Sequence, residues 1–156
     1  MNYEHYITKK LSRVPPTGIP HGVRLPDHGM FEHQKALVKW ACKRGRAAIF
    51  ADTGLGKSRM QLAWADAVRD YTGRPVLILA PLAVAPQTVA EGADIGVSVL
   101  HCRDGSDYDP SEGARICITN YDRLHRFDCS IFGAVVLDES SCTKHHDTKT
   151  LRMLMT

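Results

Sequence analysis

Apolar residues recur along this chain in two rhythms, and the way the rhythms alternate carries most of its structural information. Met30, His33-Gln34, Leu37-Val38 and Ala41 fall three or four positions apart, the period of a helix, and Gly45 follows as a stop. Beyond that point short, wholly apolar runs alternate with amphipathic stretches, the order that builds a parallel sheet covered by helices. The runs predict strands near 47–50, 76–80, 97–100, 116–119 and 134–137. The stretches between and after them predict helices over 57–70, 83–91 and 148–155, with a short turn at 121–125. Residues 103–113, rich in Asp, Gly and Ser, read as a surface loop. Residues 1–29 are interrupted by Pro15, Pro16, Pro20 and Pro26, with Gly18, Gly22 and Gly29 among them, and read as an arm or wrapping loop ahead of a lobe over 30–156.

Composition changes this picture little. A length of 156 residues suits one domain with a buried core, and 44% hydrophobic with 24% charged residues excludes a disordered or fibrous chain. The longest apolar runs fall far short of the ~20 residues of a membrane helix. The N-terminus lacks the apolar core of a secretory signal, so the chain is expected in the cytosol. Five cysteines, Cys42, Cys102, Cys117, Cys129 and Cys142, form no CxxC pair and mostly sit in apolar segments. Reduced, partly buried thiols are expected, with a disulfide or zinc framework as the alternative. A net charge of +3 is a weak argument by itself for a nucleic-acid partner.

Candidate chemistry begins at AIFADTGLGKSRMQLAWA, where an apolar run leads into a loop with two glycines and then into Lys-Ser at the start of a helix. Such a loop turns several N–H groups inward, and the helix N-terminus adds its positive dipole end, which suits a polyphosphate. Thr53, Gly54, Leu55, Gly56, Lys57 and Ser58 would form this cradle. Gly54 and Gly56 supply the backbone angles and the close approach, Lys57 reaches the β- and γ-phosphates, and the Ser58 hydroxyl ligates Mg²⁺. Ala51 stands where the general phosphate-loop string has a glycine. A glycine turn ahead of an ordinary helix is the bland alternative.

The second candidate is AVVLDESS, an apolar strand ending on two adjacent acids. In phosphate-loop ATPases the first acid holds Mg²⁺ through its water shell, while the second orients or deprotonates the attacking water. On that reading Asp138 is the magnesium residue and Glu139 the base; a solvated strand end is the alternative. His145-His146 beside Asp147 and His101-Cys102 are discounted as a metal site and a dyad, because adjacent residues diverge and no further ligands are suitably spaced.

In order, FEHQKALVKWA, ADTGLGKS, LILAPLAVAPQTVAE, ICITNYDRL and VVLDESS resemble the first RecA-like lobe of a superfamily-two helicase, closest to the Swi/Snf-type branch and to helicases common in phages and prophages. The resemblance covers roughly 30–150. It implies an α/β, RecA-like phosphate-loop sheet, with ATP and Mg²⁺ as cofactors and DNA rather than RNA as partner. It further implies a second RecA-like lobe in the same or another chain, no membrane partner, no small-molecule substrate beyond ATP, and a host's cytoplasm if the chain is phage-encoded. Gln34 matches the glutamine that reads the adenine edge, with a water-facing polar residue as the alternative, and Phe31 packs near the base or in the core. Ala80 to Glu91, including Pro81, matches the segment that touches the nucleic-acid backbone, as do Thr119 and Asn120, with Arg123 and Arg126 adding charge. Lys144 matches a basic position of no defined role.

The chain stops soon after the DESS segment, where relatives continue into a further motif, its strand and a second lobe. The expectation is therefore a lobe whose sheet lacks the strand next to the phosphate-loop strand, weak in ATP binding and hydrolysis when alone. The competing readings are a non-catalytic nucleotide-binding or interaction module and a nucleotide or small-molecule kinase.

Overall fold

The computed structural model describes residues 15–139. Five consecutive apolar residues can be buried together only in a strand covered on both faces, and Val76–Ala80, here β1, is such a strand: all five are at most 1% exposed. Around it form β2 (Val99–His101), β3 (Ile116–Asn120) and β4 (Ala134–Leu137), in the order β2-β3-β1-β4. Every pairing is parallel. Ile78 of β1 lies level with Ile118 on one side and Val136 on the other.

The two faces of the sheet are covered differently. Val76, Ile78, Ala80, Ile116 and Ile118 pack against three helices, α1 (Glu32–Arg44), α2 (Lys57–Thr72) and α3 (Ala85–Asp94). Leu77, Leu79 and Cys117 face the other way, onto Cys102, Tyr108, Leu124, Phe127 and Phe132, which come from the β2–β3 and β3–β4 connections and their short 3₁₀ turns. The alternation along β1 thus feeds two cores.

Helix ends follow recognisable chemistry. α1 buries Gln34, Val38, Ala41 and Cys42, one stripe at helical spacing, and stops at Gly45, whose φ is 81° and whose N–H returns to Ala41 O. Its next carbonyls are taken by the arm: Ile19 N–H donates to Cys42 O at 2.9 Å, Gly18 to Lys43 O and Thr17 to Arg44 O at 3.3 Å. Any side chain at Gly18 would strike Cys42 O, so glycine is required there. Ile19 is buried in the helix-covered core, and Arg59 donates to Gly29 O at 2.7 Å, so residues 15–29 pack on the lobe as a strap.

Several boundaries move from the sequence expectation, and one element is missing. Val97 does not begin β2. Its N–H closes the end of α3 on Gly92 O while Gly96, at φ 75°, donates to Ala93 O, a paired cap that delays the strand to Val99. The strand predicted at 47–50 does not form. Ala47, Ala48 and Phe50 are exposed, Phe50 at 96%, and only Ile49 reaches the core. Two alanines bury too little to hold an extended segment that pairs with no strand of the sheet. Among the described residues β4 is an edge strand, only partly buried. The helix expected over 148–155, Lys144, and the His145, His146 and Asp147 cluster lie outside the described residues. The four described cysteines are free thiols, and burial pushes Cys42 up to about 11.

Candidate nucleotide site

In a parallel sheet every strand ends on the same side, and ligands collect outside those carboxyl ends. Pro81 follows β1, Asn120 closes β3 in register with Ala80, and Asp138 follows β4, its N–H continuing the ladder to Leu79 O at 2.8 Å. The phosphate-loop segment 51–58 is brought to the same side by α2, which opens at Lys57.

Gly54 and Gly56 have φ of 80° and 74°, so the loop uses the left-handed conformations that glycine alone adopts freely. The two glycines differ in surroundings. A side chain at Gly54 would meet open space, whereas one at Gly56 would come within 2.4 Å of Gln34 Nε2. Gln34 is 4% exposed, which removes the water-facing alternative. Its Oε1 accepts from Phe31 N–H at 2.9 Å and its Nε2 donates to Leu55 O at 3.0 Å, joining the start of α1 to the loop. Phe31 is 71% exposed and stacks on His33, so it is not a core residue.

Lys57 Nζ donates to Ala51 O at 3.1 Å and Asp52 O at 3.2 Å, two neutral carbonyls. Asp52 Oδ1 in turn accepts from Thr53 N–H at 2.8 Å. Leu55 and Thr53 are exposed, and Ser58 is half-buried at the first turn of α2. Burial raises the Asp138 carboxyl above the ordinary carboxylate range. The Gln61 amide and, further down, the Lys57 ammonium oppose that rise, while the Glu139 charge adds to it. Lys57 and Asp138, far apart in sequence, therefore share one electrostatic environment. Glu139 is exposed at φ 54°, the one non-glycine residue with positive φ among the described residues. At Glu139 the backbone leaves the extended course of β4.

Two residues at this site carried no signal by themselves in the sequence. Tyr121 O–H donates to Asp138 O at 2.6 Å, fixing the backbone after β4. Gln61 sits one helical turn after Lys57 and so on its face of α2, a spacing that could have singled it out.

The residues expected at a nucleic-acid backbone are placed unevenly. Thr119 is fully buried, and its hydroxyl has no hydrogen-bond partner among the described residues. Asn120 Oδ1 caps the turn Tyr121–Arg126 by accepting from Arg123 N–H at 3.1 Å. Pro81 and Arg123 are half-buried and Arg126 is exposed.

Together these features define an α/β, RecA-like fold: an all-parallel sheet flanked by helices, with a glycine loop and an acid pair at its carboxyl edge. Among solved structures, the chain is similar to the Sulfolobus solfataricus SWI2/SNF2 ATPase core in complex with dsDNA, with a TM-score of 0.68 over 86% of this chain at 20% identity. The match spans 31% of that protein's chain. No protein-family model and no curated protein matches the sequence. No helix among the described residues is long and apolar enough to cross a membrane.

The site suits a magnesium nucleotide by its own chemistry. It offers a lysine whose hydrogen bonds among the described residues are to neutral carbonyls, a hydroxyl at a helix N-terminus, and a half-buried carboxylate within the lysine's electrostatic reach. A cation of this kind is usually held by one or two carboxylates together with substrate phosphates, so a larger ligand cluster is not required.

Proposed function

We propose that this chain is the ATP-binding lobe of a DNA-dependent ATPase of helicase or translocase type. The observation that carries the reading is the convergence of Lys57 and Asp138 at the carboxyl edge of the sheet, close enough for the lysine to favour the charged carboxylate. Lys57 would exchange its two loop carbonyls for β- and γ-phosphate oxygens, and the loop N–H groups of 53–58 would line the phosphates. Ser58 and Asp138 would hold Mg²⁺, which supplies neutralisation of phosphate charge when bound. Glu139, exposed and turned out of the strand direction, would orient water and accept its proton. Gln34, whose amide bonds Phe31 N–H and Leu55 O, would exchange those partners for the adenine edge.

Pro81, Asn120, Arg123 and Arg126 lie on or next to the same edge of the sheet and would meet a DNA backbone without reading sequence. Full turnover would need arginines from a second RecA-like lobe, so the chain's own activity is best followed as binding. Titrating fluorescent ATP with Mg²⁺ tests the site. Lys57→Ala should weaken binding by about 100-fold, whereas Glu139→Gln should bind as the parent does and lose only hydrolysis. Equal affinity for parent and Lys57→Ala would reject the site. Labelled duplex DNA tests the partner: Arg123→Ala with Arg126→Ala should lower affinity and flatten its salt dependence by about two phosphate contacts.

A further inference from the structure

Gln61 lies on α2 one turn beyond Lys57, in a helix otherwise packed through Met60, Leu62, Ala63 and Ala65. Its Nε2 is sealed from solvent, and no hydrogen bond of regular geometry reaches it among the described residues. A buried amide donor left unpaired costs about 1–3 kcal/mol, so a well-packed helix retains one only where something else benefits. The Gln61 amide acts on the Asp138 carboxyl at the end of β4, whose charged form it favours against burial.

We propose that Gln61 is a positioning residue for the metal-holding carboxylate: its Nε2 donates to one Asp138 oxygen when the site is loaded and leaves the other oxygen directed at the cation's water shell. This rests on the nucleotide reading given above. The unpaired donor is then a contact held in reserve, completed when Asp138 swings toward the cation. Partners of this outer kind typically change metal affinity by about 10–100-fold when removed, without touching the metal or the substrate.

The test uses the full chain and three variants, Gln61→Leu, Gln61→Met and Gln61→Asn. Fluorescent ATP binding is measured with EDTA and over a Mg²⁺ titration, Mn²⁺ is followed by electron paramagnetic resonance, and melting is recorded without ligand. The first two variants should raise the Mg²⁺ concentration for half-maximal nucleotide binding by about tenfold and leave more of the sharp signal of free Mn²⁺. Affinity in EDTA should not fall, and the ligand-free melting temperature should change little, because Nε2 makes no hydrogen bond of regular geometry before the site is loaded. Gln61→Asn, which keeps the amide on a shorter stem, should behave like Gln61→Met. Unchanged Mg²⁺ dependence in all three, or an equal loss with and without Mg²⁺, would overturn the proposal. Should the parent bind ATP only with intact Lys57 while Gln61 proves indifferent, the nucleotide reading stands and this one falls; a parent that binds no nucleotide sinks both.

Discussion

The middle of the sheet and the approach to the phosphate loop are built from similar apolar material and end in opposite states. Val76–Ala80 is sealed between two layers, hydrogen-bonded on both edges to β3 and β4. Residues 47–50 form no strand and pair with none of the sheet, with Phe50 almost wholly in solvent. A strand needs neighbours on its edges as well as cover on its faces, and the first segment has both while the second has one buried isoleucine. Apolarity nominates a strand, and pairing decides whether it forms.

Five substitutions would break or sharpen that contrast, in order of expected effect. Ile78→Ala removes a fully buried side chain from the centre of the helix-covered core and should cost about 2–5 kcal/mol, read as a shift in urea midpoint at constant slope. A loss below 1 kcal/mol would mean the centre is less tightly packed than its burial indicates. Gly56→Ala should cost about 2 kcal/mol or more, since it adds a clash with Gln34 to an unfavourable φ, whereas Gly54→Ala should lose only the conformational part, about 1 kcal/mol. Equal losses would show that Gln34 is free to move.

Asp138→Asn tests the electrostatics. The Asp138 carboxyl has a folded pKa raised by burial, so its ionised form works against folding. The contribution from the neutral form is fully present below the unfolded pKa and is lost as pH rises through the folded one. The variant should therefore melt slightly above the parent at neutral pH, and the gap should close as pH falls into the range where the parent carboxyl takes up its proton, while Mg²⁺-dependent nucleotide binding is lost. Equal melting at every pH would mean that burial carries no penalty. Smallest of all, Phe50→Ser should leave stability within about 0.5 kcal/mol and reduce self-association at high concentration, read by light scattering.

Much of this architecture was readable in advance, for physical reasons that differ by element. β1 and β4 fall where the apolar runs place them, because a run of four or five residues bounded by prolines, glycines or acids has little freedom of register. α2 begins at the Lys-Ser of the loop, since the glycines before it stop any earlier start. The start of β2 was not legible: Val97 is as apolar as Val99, and only the cap on α3 assigns it to the helix end. At the site, residue types and spacing nominated Lys57, Ser58 and Asp138, and the structure sets Lys57 and Asp138 in a common field. Burial is what spacing could not supply. Thr119, expected near a nucleic-acid backbone, is enclosed, Gln34 could have faced water and is buried, and the buried amide of Gln61 has no hydrogen bond of regular geometry among the described residues.

The strap over α1 has a kinetic consequence. The amides of Gly18 and Ile19 belong to no helix or strand, yet they donate to the carbonyls that end α1, and Ile19 is anchored in the core. Solvent can take their protons only after the strap lifts or the whole lobe opens. In a hydrogen-exchange experiment these two positions should lag with the helix they close, a slow island inside a stretch without regular secondary structure.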